Sequence, residues 1–514
     1  MTTIDRRAFL RRLAAGGALV TAPAFLAGCG VRPALELAET PPANPFLDWF
    51  GLGERELARV LAELGGGGGE FGEAYFQHTR GRRLRRVDGA PESADATIEQ
   101  GAGLRVVRHG RTTFAHTENL ELDALRAAAR QAASLDAAPP VATGAFVAAP
   151  RADRYAVAAP WSDVSDAART RLFERVEAAV RAADPGVTRV VVDWRDRDER
   201  ILVASLDGRL VDDRRPLASL ALQVSIRRGD ETQSGFASRS LRDGPGGFAD
   251  EVLDELAATA VRRAQTRFEA RRPPAGELPV VLAAGVAGVL LQEAVGHALE
   301  GDFVASGESV YARSVGETVA SDAVTLVDDA TLPHARGALN VDDEGTATGR
   351  TPLVERGVLR GFLHDRRSAD RAGVATTGSA RRESFRHAPL PRMSCTLLAD
   401  GTTAAAELEG GLELGIVAET VTAGRADPGG GAFSFTVRNG WLVEKGRRTQ
   451  PIRDVTLSGT GSGLLAGLVR VGDDGRLDPG GWTCGKHGQR VPVSPGSPSV
   501  LVEGLTVSPP AANA

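Results

Sequence analysis

An apolar run from Val280 to Leu291 leads straight into Gln292-Glu293-Ala294-Val295-Gly296-His297, and Ala298-Leu299-Glu300-Gly301-Asp302 follows. A segment this apolar belongs in a core, and a carboxylate carried into it needs a reason. The spacing is a second constraint. On a regular helix, side chains four residues apart point about 40° from one another, whereas side chains five apart diverge by roughly 140°. Gln292 and His297 are five apart, so the helix must end, bulge or kink between them if both are to face one point. Gly296 is placed to permit that.

The chain is long enough to bury such a segment: 514 residues suffice for two or three domains and a large core. With 42% hydrophobic and 25% charged residues it has the balance of a soluble globular protein. A net charge of −5 speaks against a nucleic-acid binder. The 61 glycines point to many turns and β structure. Almost every basic residue is Arg; only Lys445 and Lys486 are Lys, which makes Lys486 an unusual choice.

The N-terminus reads as an address. Arg6-Arg7-Ala8-Phe9-Leu10 is a twin-arginine pair followed by apolar residues, with Asp5 before it. Leu13 to Ala27 is weakly apolar and too short to span a bilayer. It ends in Leu26-Ala27-Gly28-Cys29, which resembles the cleavage box of bacterial lipoproteins, where the Cys is lipidated. The expectation is export by the twin-arginine route to an extracytoplasmic place, periplasmic or at the cell surface. Membrane attachment would come only through Cys29, and two or more acyl chains make such anchoring stable. Of the other cysteines, Cys395 and Cys484 either pair in that oxidising setting or stay thiols.

Residues 1–29 are thus read as signal and 30–44, with Pro33, Pro41 and Pro42, as a tether. A helix is expected from Asn44 or Pro45 through Leu64, ended by the glycines from Gly65 to Gly69. Short strands follow up to Thr117: Ala74-Tyr75-Phe76, Leu84 to Val87, Ala96-Thr97-Ile98 and Leu104 to Val107. Further helices are expected from Leu120 to Ala133, from Ser165 (as N-cap) to Ala183, and from Gly246 to Arg271. Strands are expected from Thr188 to Trp194, Ile201 to Ser205 and Leu217 to Arg227. Pro273-Pro274-Ala275-Gly276 is the best linker, dividing an N-terminal domain, 45–272, from a C-terminal one, 273–514. Beyond it a strand from Leu278 to Ala284 precedes the motif helix, Gly285 to Glu300. Candidate strands then run from Val324 to Val327, Val358 to Leu363, Ser394 to Leu398, Gly415 to Val421, Phe433 to Val437 and Val500 to Val507. The fold class is α+β: an N-terminal domain of helices and a β-meander, then a largely β domain carrying one motif helix.

A zinc-hydrolase helix carries two His ligands and a Glu beside the first His as general base. Here Glu293 and His297 stand in place and the first His is Gln292. The other histidines of this half, His334, His364, His387 and His487, read as hydrogen-bonded loop residues. Arg381, Arg382 and Arg392 either bind a substrate carboxylate or pair with acidic neighbours.

Several ordered blocks resemble the TldD/PmbA family of metallopeptidases. They include Thr97-Ile98-Glu99-Gln100-Gly101-Ala102-Gly103-Leu104-Arg105-Val106, Asp343-Glu344-Gly345, and Leu363-His364-Asp365-Arg366. Thr377 to Ser384 with Pro391-Arg392-Met393, and Cys484-Gly485-Lys486-His487-Gly488-Gln489, are further blocks. The resemblance covers nearly everything after the tether. It implies a Zn²⁺ ion held by the two His of the helix and a Cys of the C-terminal block. By position His297 and Cys484 match, Gln292 takes the place of the first His, and Glu293 matches the general base. Lys486 would then favour the Cys484 thiolate, and Glu300 and Asp302 would orient His297. The resemblance further implies unfolded or small peptides as substrate and a homodimer, or a heterodimer with a second family member. Gln292 supports an alternative too. A neutral carbonyl oxygen is a weak Zn²⁺ ligand, and without metal the chain would be an inactive peptide-binding partner subunit, as in the PmbA branch.

Overall fold

The computed structural model describes residues 45–134, 140–148, 152–157 and 159–509; the expected signal and tether lie outside them. The single helix expected before Gly65 is two, α1 (Pro45–Phe50) and α2 (Glu54–Gly65). The break falls at Gly51, whose φ of 69° lies in the left-handed region that only glycine enters freely.

The short strands expected next are parts of long ones. They are β1 (Phe71–Val87), β2 (Ala90–Arg108), β3 (Arg111–Thr117), β4 (Val187–Ser205), β5 (Arg209–Arg228) and β6 (Glu231–Leu241). They lie in the order β3-β2-β1-β4-β5-β6, antiparallel throughout, with Val147–Ala148 added beside β5. The charged stretches that suggested breaks do not interrupt pairing, and opposite charges meet diagonally across the strands. Arg83 reaches Asp193 at 3.2 Å, and Arg214 reaches Asp198 at 2.7 Å. The helices α3 (Leu122–Ala133), α4 (Asp166–Ala183) and α5 (Asp250–Glu269) cover one face together with α1 and α2. Ser165 caps α4 as expected, its hydroxyl accepting from the Ala168 amide.

Strand alternation leaves Tyr75, Ile201, Val203 and Val211 on the opposite face, where they meet Val341 and Phe385 of the C-terminal half. Phe385 lies so close to β2 that a Cβ at Gly101 would stand 2.2 Å from its ring. Buried ions cross the same junction. Arg105 bonds Glu73 at 3.0 Å and also Glu344, and Arg382 bonds Glu73. Arg215 bonds Asp343 at 2.5 Å and Asp213 at 3.0 Å. No hydropathy pattern shows such a network, since charged residues on strands ordinarily read as solvent-facing.

In the C-terminal half, β7 (Gly276–Leu282) leads into α6 (Val286–Ala294), and α7 (Gly301–Ser306) follows. A small sheet pairs β8 (Leu326–Asp329) with β9 (Arg350–Glu355) and, after α8 (Arg366–Ala372), with β10 (Thr396–Leu398). The remaining long strands are β11 (Leu414–Ala426), β12 (Ala432–Glu444), β13 (Arg447–Ile452), β14 (Val455–Thr460) and, near the end, β17 (Val500–Ser508). Between them lies the hairpin β15 (Thr483–Lys486) and β16 (Gln489–Pro492). Strands β7, β11, β12, β14 and β17 pair in a closed ring, β7 and β11 in parallel. Their period-2 alternation splits the core. Val280, Leu282, Val500 and Val502 join α6, whereas Val281 and Leu501 face the other way.

The mixed α+β class is as expected. α6 is not the sole helix of this half, however: α7, α8, Ala405–Gly410 and Gly461–Ala466 are further short ones. The strand expected from Val358 to Leu363 stops at Leu359. Leu363 instead exchanges backbone hydrogen bonds with Leu299 and Gly301, just after the motif.

Candidate metal centre

The geometry demanded by the five-residue spacing is present. The helix α6 ends at Ala294, Val295 leaves helical backbone with φ −121° and ψ −46°, and a 3₁₀ turn spans Gly296–Leu299. That turn carries His297. Gly296 acts by its size: its φ is not left-handed, but a Cβ there would lie 2.1 Å from Met393 Sδ. Met393 is held in turn through Ser394, whose amide and hydroxyl both donate to buried Asp328. Burial pushes the Asp328 carboxyl up to about 6, against the pull of Ser394 and Arg381. Since 3.8 is its unperturbed value, its folding contribution is present below that pH and is lost as pH rises through about 6. Asp328→Asn should therefore lose this pH dependence, and Tm measured from pH 4 to pH 7 would show it.

His297 and Cys484 meet. Cys484 lies on β15, fully buried, and its Sγ is 3.2 Å from His297 Nε2. The other ring nitrogen, Nδ1, is 2.9 Å from Glu300 Oε2. An ionised carboxylate only accepts, so Nδ1 carries a proton and Nε2 is the atom turned to Cys484. Burial alone would raise the Glu300 carboxyl, but His297 and Lys486 beside it draw it down to about 2. Burial alone would lower His297, yet Glu300 and Cys484 more than offset that and hold it well above its usual value.

Lys486 shares the Cys484 face of β15, two residues on. Its three donors go to Glu300 Oε2 at 2.8 Å, Asp302 Oδ1 at 2.6 Å and the Pro391 carbonyl at 3.1 Å. It therefore acts on the His297–Cys484 pair through Glu300, not by direct contact with the thiol. Asp302, expected beside His297, bonds Lys486 instead. Burial raises the Asp302 carboxyl, with Lys486 pulling the other way. Glu300→Gln keeps the shape but loses the charge that fixes the ring. The expected result is a loss of metal affinity of about 10- to 100-fold, read by chelator competition.

The two remaining motif residues lie on the last turn of α6. Glu293 is half-buried, and one atom each of Glu293, His297 and Cys484 lie within 4.8 Å of one another. Among the described residues this is the group of such side chains placed to hold a metal ion. Gln292 is buried; its Nε2 donates to Glu293 Oε1 at 2.9 Å, and its own Oε1 has no hydrogen-bond partner. A carboxylate cannot donate, so the amide nitrogen must face Glu293 and the carbonyl must face away. Leaving that carbonyl unmet costs about 1–3 kcal/mol. The imidazole, thiol and carboxylate of His297, Cys484 and Glu293 are a donor set that fits Zn²⁺, and the orphaned Gln292 oxygen lies on the last turn of the same helix.

The remaining candidates are committed elsewhere. Arg381 donates to the Met393 carbonyl, Arg392 to the Cys484 and Gln489 carbonyls, and Arg382 to Glu73 and the Asp343 carbonyl. All three are buried and brace the site's frame. His334 bonds the Arg242 carbonyl, His364 Ser368, and His387 Ser384, while His487 stacks on Phe303. Cys395 and Cys484 are both free thiols, so the disulfide alternative falls.

Comparison with known proteins places this arrangement. Three profiles match in order: PmbA/TldA metallopeptidase domain 1 over residues 72–135, its central domain over 159–268 and its C-terminal domain over 275–509. The chain belongs to the TldD/PmbA metallopeptidase family. A metalloprotease TldD homolog of Haemophilus influenzae is 34% identical over 446 residues, 85% of this chain and 92% of that protein. A zinc metalloprotease TldD homolog of Saccharolobus solfataricus is 29% identical over 293 residues, 56% of this chain and 64% of that one. The fold of this family member matches a crystal structure from Thermotoga maritima described as a putative modulator of a DNA gyrase. The TM-score is 0.71 at 23% identity, covering 85% of this chain and 96% of that one. TldE of Thermococcus kodakarensis gives a TM-score of 0.69 at 17% identity, covering 88% and 99%.

Proposed function

We propose that this TldD/PmbA metallopeptidase is a zinc-dependent peptidase acting on unfolded or small peptides, with Glu293 as general base. The observation that carries the reading is the convergence of Glu293, His297 and Cys484 within 4.8 Å at the break after α6. His297 Nε2 and Cys484 Sγ are the strong donors for the ion, and Gln292 stands at the sequence position of a third, where its neutral amide is a weak ligand at best. The ion, when bound, supplies Lewis-acid polarisation of the scissile carbonyl and of the attacking water. Glu293 takes the proton from that water and passes it to the leaving amine. Glu300, itself paired with Lys486, accepts from His297 Nδ1, so Nε2 is the ring atom turned to the ion, whose binding would displace the Nε2 proton. An extended peptide docking by strand addition explains a preference for unstructured chains. Glu293→Ala is expected to abolish cleavage of a denatured protein or model peptide; equal turnover by the variant would sink the proposal.

Gln292 favours a second reading, a metal-free binding subunit in a complex with another family member. It predicts neither zinc nor hydrolysis. In either reading the chain works as a homodimer or heterodimer. The twin-arginine pair and Cys29 support export and a lipid anchor outside the cytoplasm.

A further inference from the structure

We infer that Glu293 is itself a metal ligand in this chain, filling the coordination position for which Gln292 is a poor donor. The inference rests on the zinc-site reading and deepens it.

The site has two strong donors, His297 Nε2 and Cys484 Sγ, 3.2 Å apart. A catalytic zinc centre uses three protein donors and keeps one position open, and its usual donors are thiolate, imidazole and carboxylate, not a neutral amide. Among the described residues, the third side chain of such a type with an atom in range of both is Glu293. Its orientation is set by its neighbour. Adjacent residues on a helix diverge by about 100° and do not ordinarily face each other. Here the Gln292 amide reaches the Glu293 carboxylate at 2.9 Å, so the two side chains have curled together at the end of α6. Gln292 is thereby a positioning residue: its N–H turns the carboxylate and restrains it. With Cys484 as thiolate, the Glu293 carboxylate supplies the second negative donor, and the two balance the charge of Zn²⁺ where burial makes imbalance costly. A carboxylate carries two oxygens with several lone pairs, so ligation through one leaves the other able to accept a proton.

The test is the zinc content and zinc affinity of full-length Glu293→Gln, beside Gln292→His/Glu293→Gln, each with a peptide-cleavage assay. The expected result is a loss of zinc affinity of at least about 100-fold in Glu293→Gln, beyond what an outer-partner loss produces. Zinc should return in the double variant, where an imidazole takes the position, while cleavage stays absent. That recovery also shows that the single variant had not merely unfolded. Zinc retained at parent affinity in Glu293→Gln would overturn the inference. If that variant is also inactive, the general-base reading stands alone; if it is active, both fall. A double variant with no more zinc than the single one would equally overturn the inference.

Discussion

Cys484→Ala is expected to release the zinc and reduce peptide cleavage to background. The thiol is fully buried and lies 3.2 Å from His297 Nε2, where β15 meets the turn after α6. Removing it takes away the softest donor. The loss of affinity should therefore exceed by a wide margin the roughly 10- to 100-fold that follows loss of an outer partner such as Glu300. Cys395 provides the control. It is an equally buried free thiol in the same half of the chain but lies outside the metal-capable group. Cys395→Ala should keep its zinc and its activity. Metal analysis and turnover on the two purified variants decide the matter, and equal zinc in both would show that Cys484 is not a donor.

Arg105→Ala is expected to destabilise the protein by roughly 3–5 kcal/mol, the usual result of stripping one partner from a buried ion cluster. Arg105 joins Glu73 of its own sheet to Glu344 of the C-terminal half, and all three side chains are buried. The truncation leaves two carboxylates without their shared cation inside the junction. Such a loss is a large part of the 5–15 kcal/mol by which domains are ordinarily stable. Because Arg382 also ends on Glu73 and its neighbour Arg381 holds the Met393 carbonyl, the frame behind the Met393–Gly296 contact should loosen with it. A urea midpoint shift equivalent to less than about 1 kcal/mol would mean that the cluster is no better than a surface pair.

The sequence carried much of the site, and the reason is local. Two motif residues five apart could converge only through a broken helix, and the structure breaks it at Val295. Ser165 announced the start of α4 because a hydroxyl cap is a short-range interaction. What remained hidden depended on partners distant in the chain. Charged stretches in β1 and β4 looked like strand ends because their opposite charges lie some hundred residues away, as with Arg83 and Asp193. Arg382 looked free for a substrate, but its partner is Glu73, on the first strand. Lys486 looked like a neighbour of the Cys484 thiol, but its three hydrogen bonds lead to Glu300, Asp302 and Pro391. The sequence places Gly296 where the helix can break, but what demands a glycine there is the sulfur of Met393.

Whether a metal binds despite Gln292 separates a peptidase from a binding subunit. The most direct test is the metal content of the protein produced without residues 1–28, beside Gln292→His and Cys484→Ala. About one zinc ion per chain is expected in the parent, tighter binding in Gln292→His by roughly 10- to 1,000-fold, and none in Cys484→Ala. A parent without metal that gains zinc only as Gln292→His would contradict the peptidase reading, and would make the chain a binding subunit built on a peptidase fold.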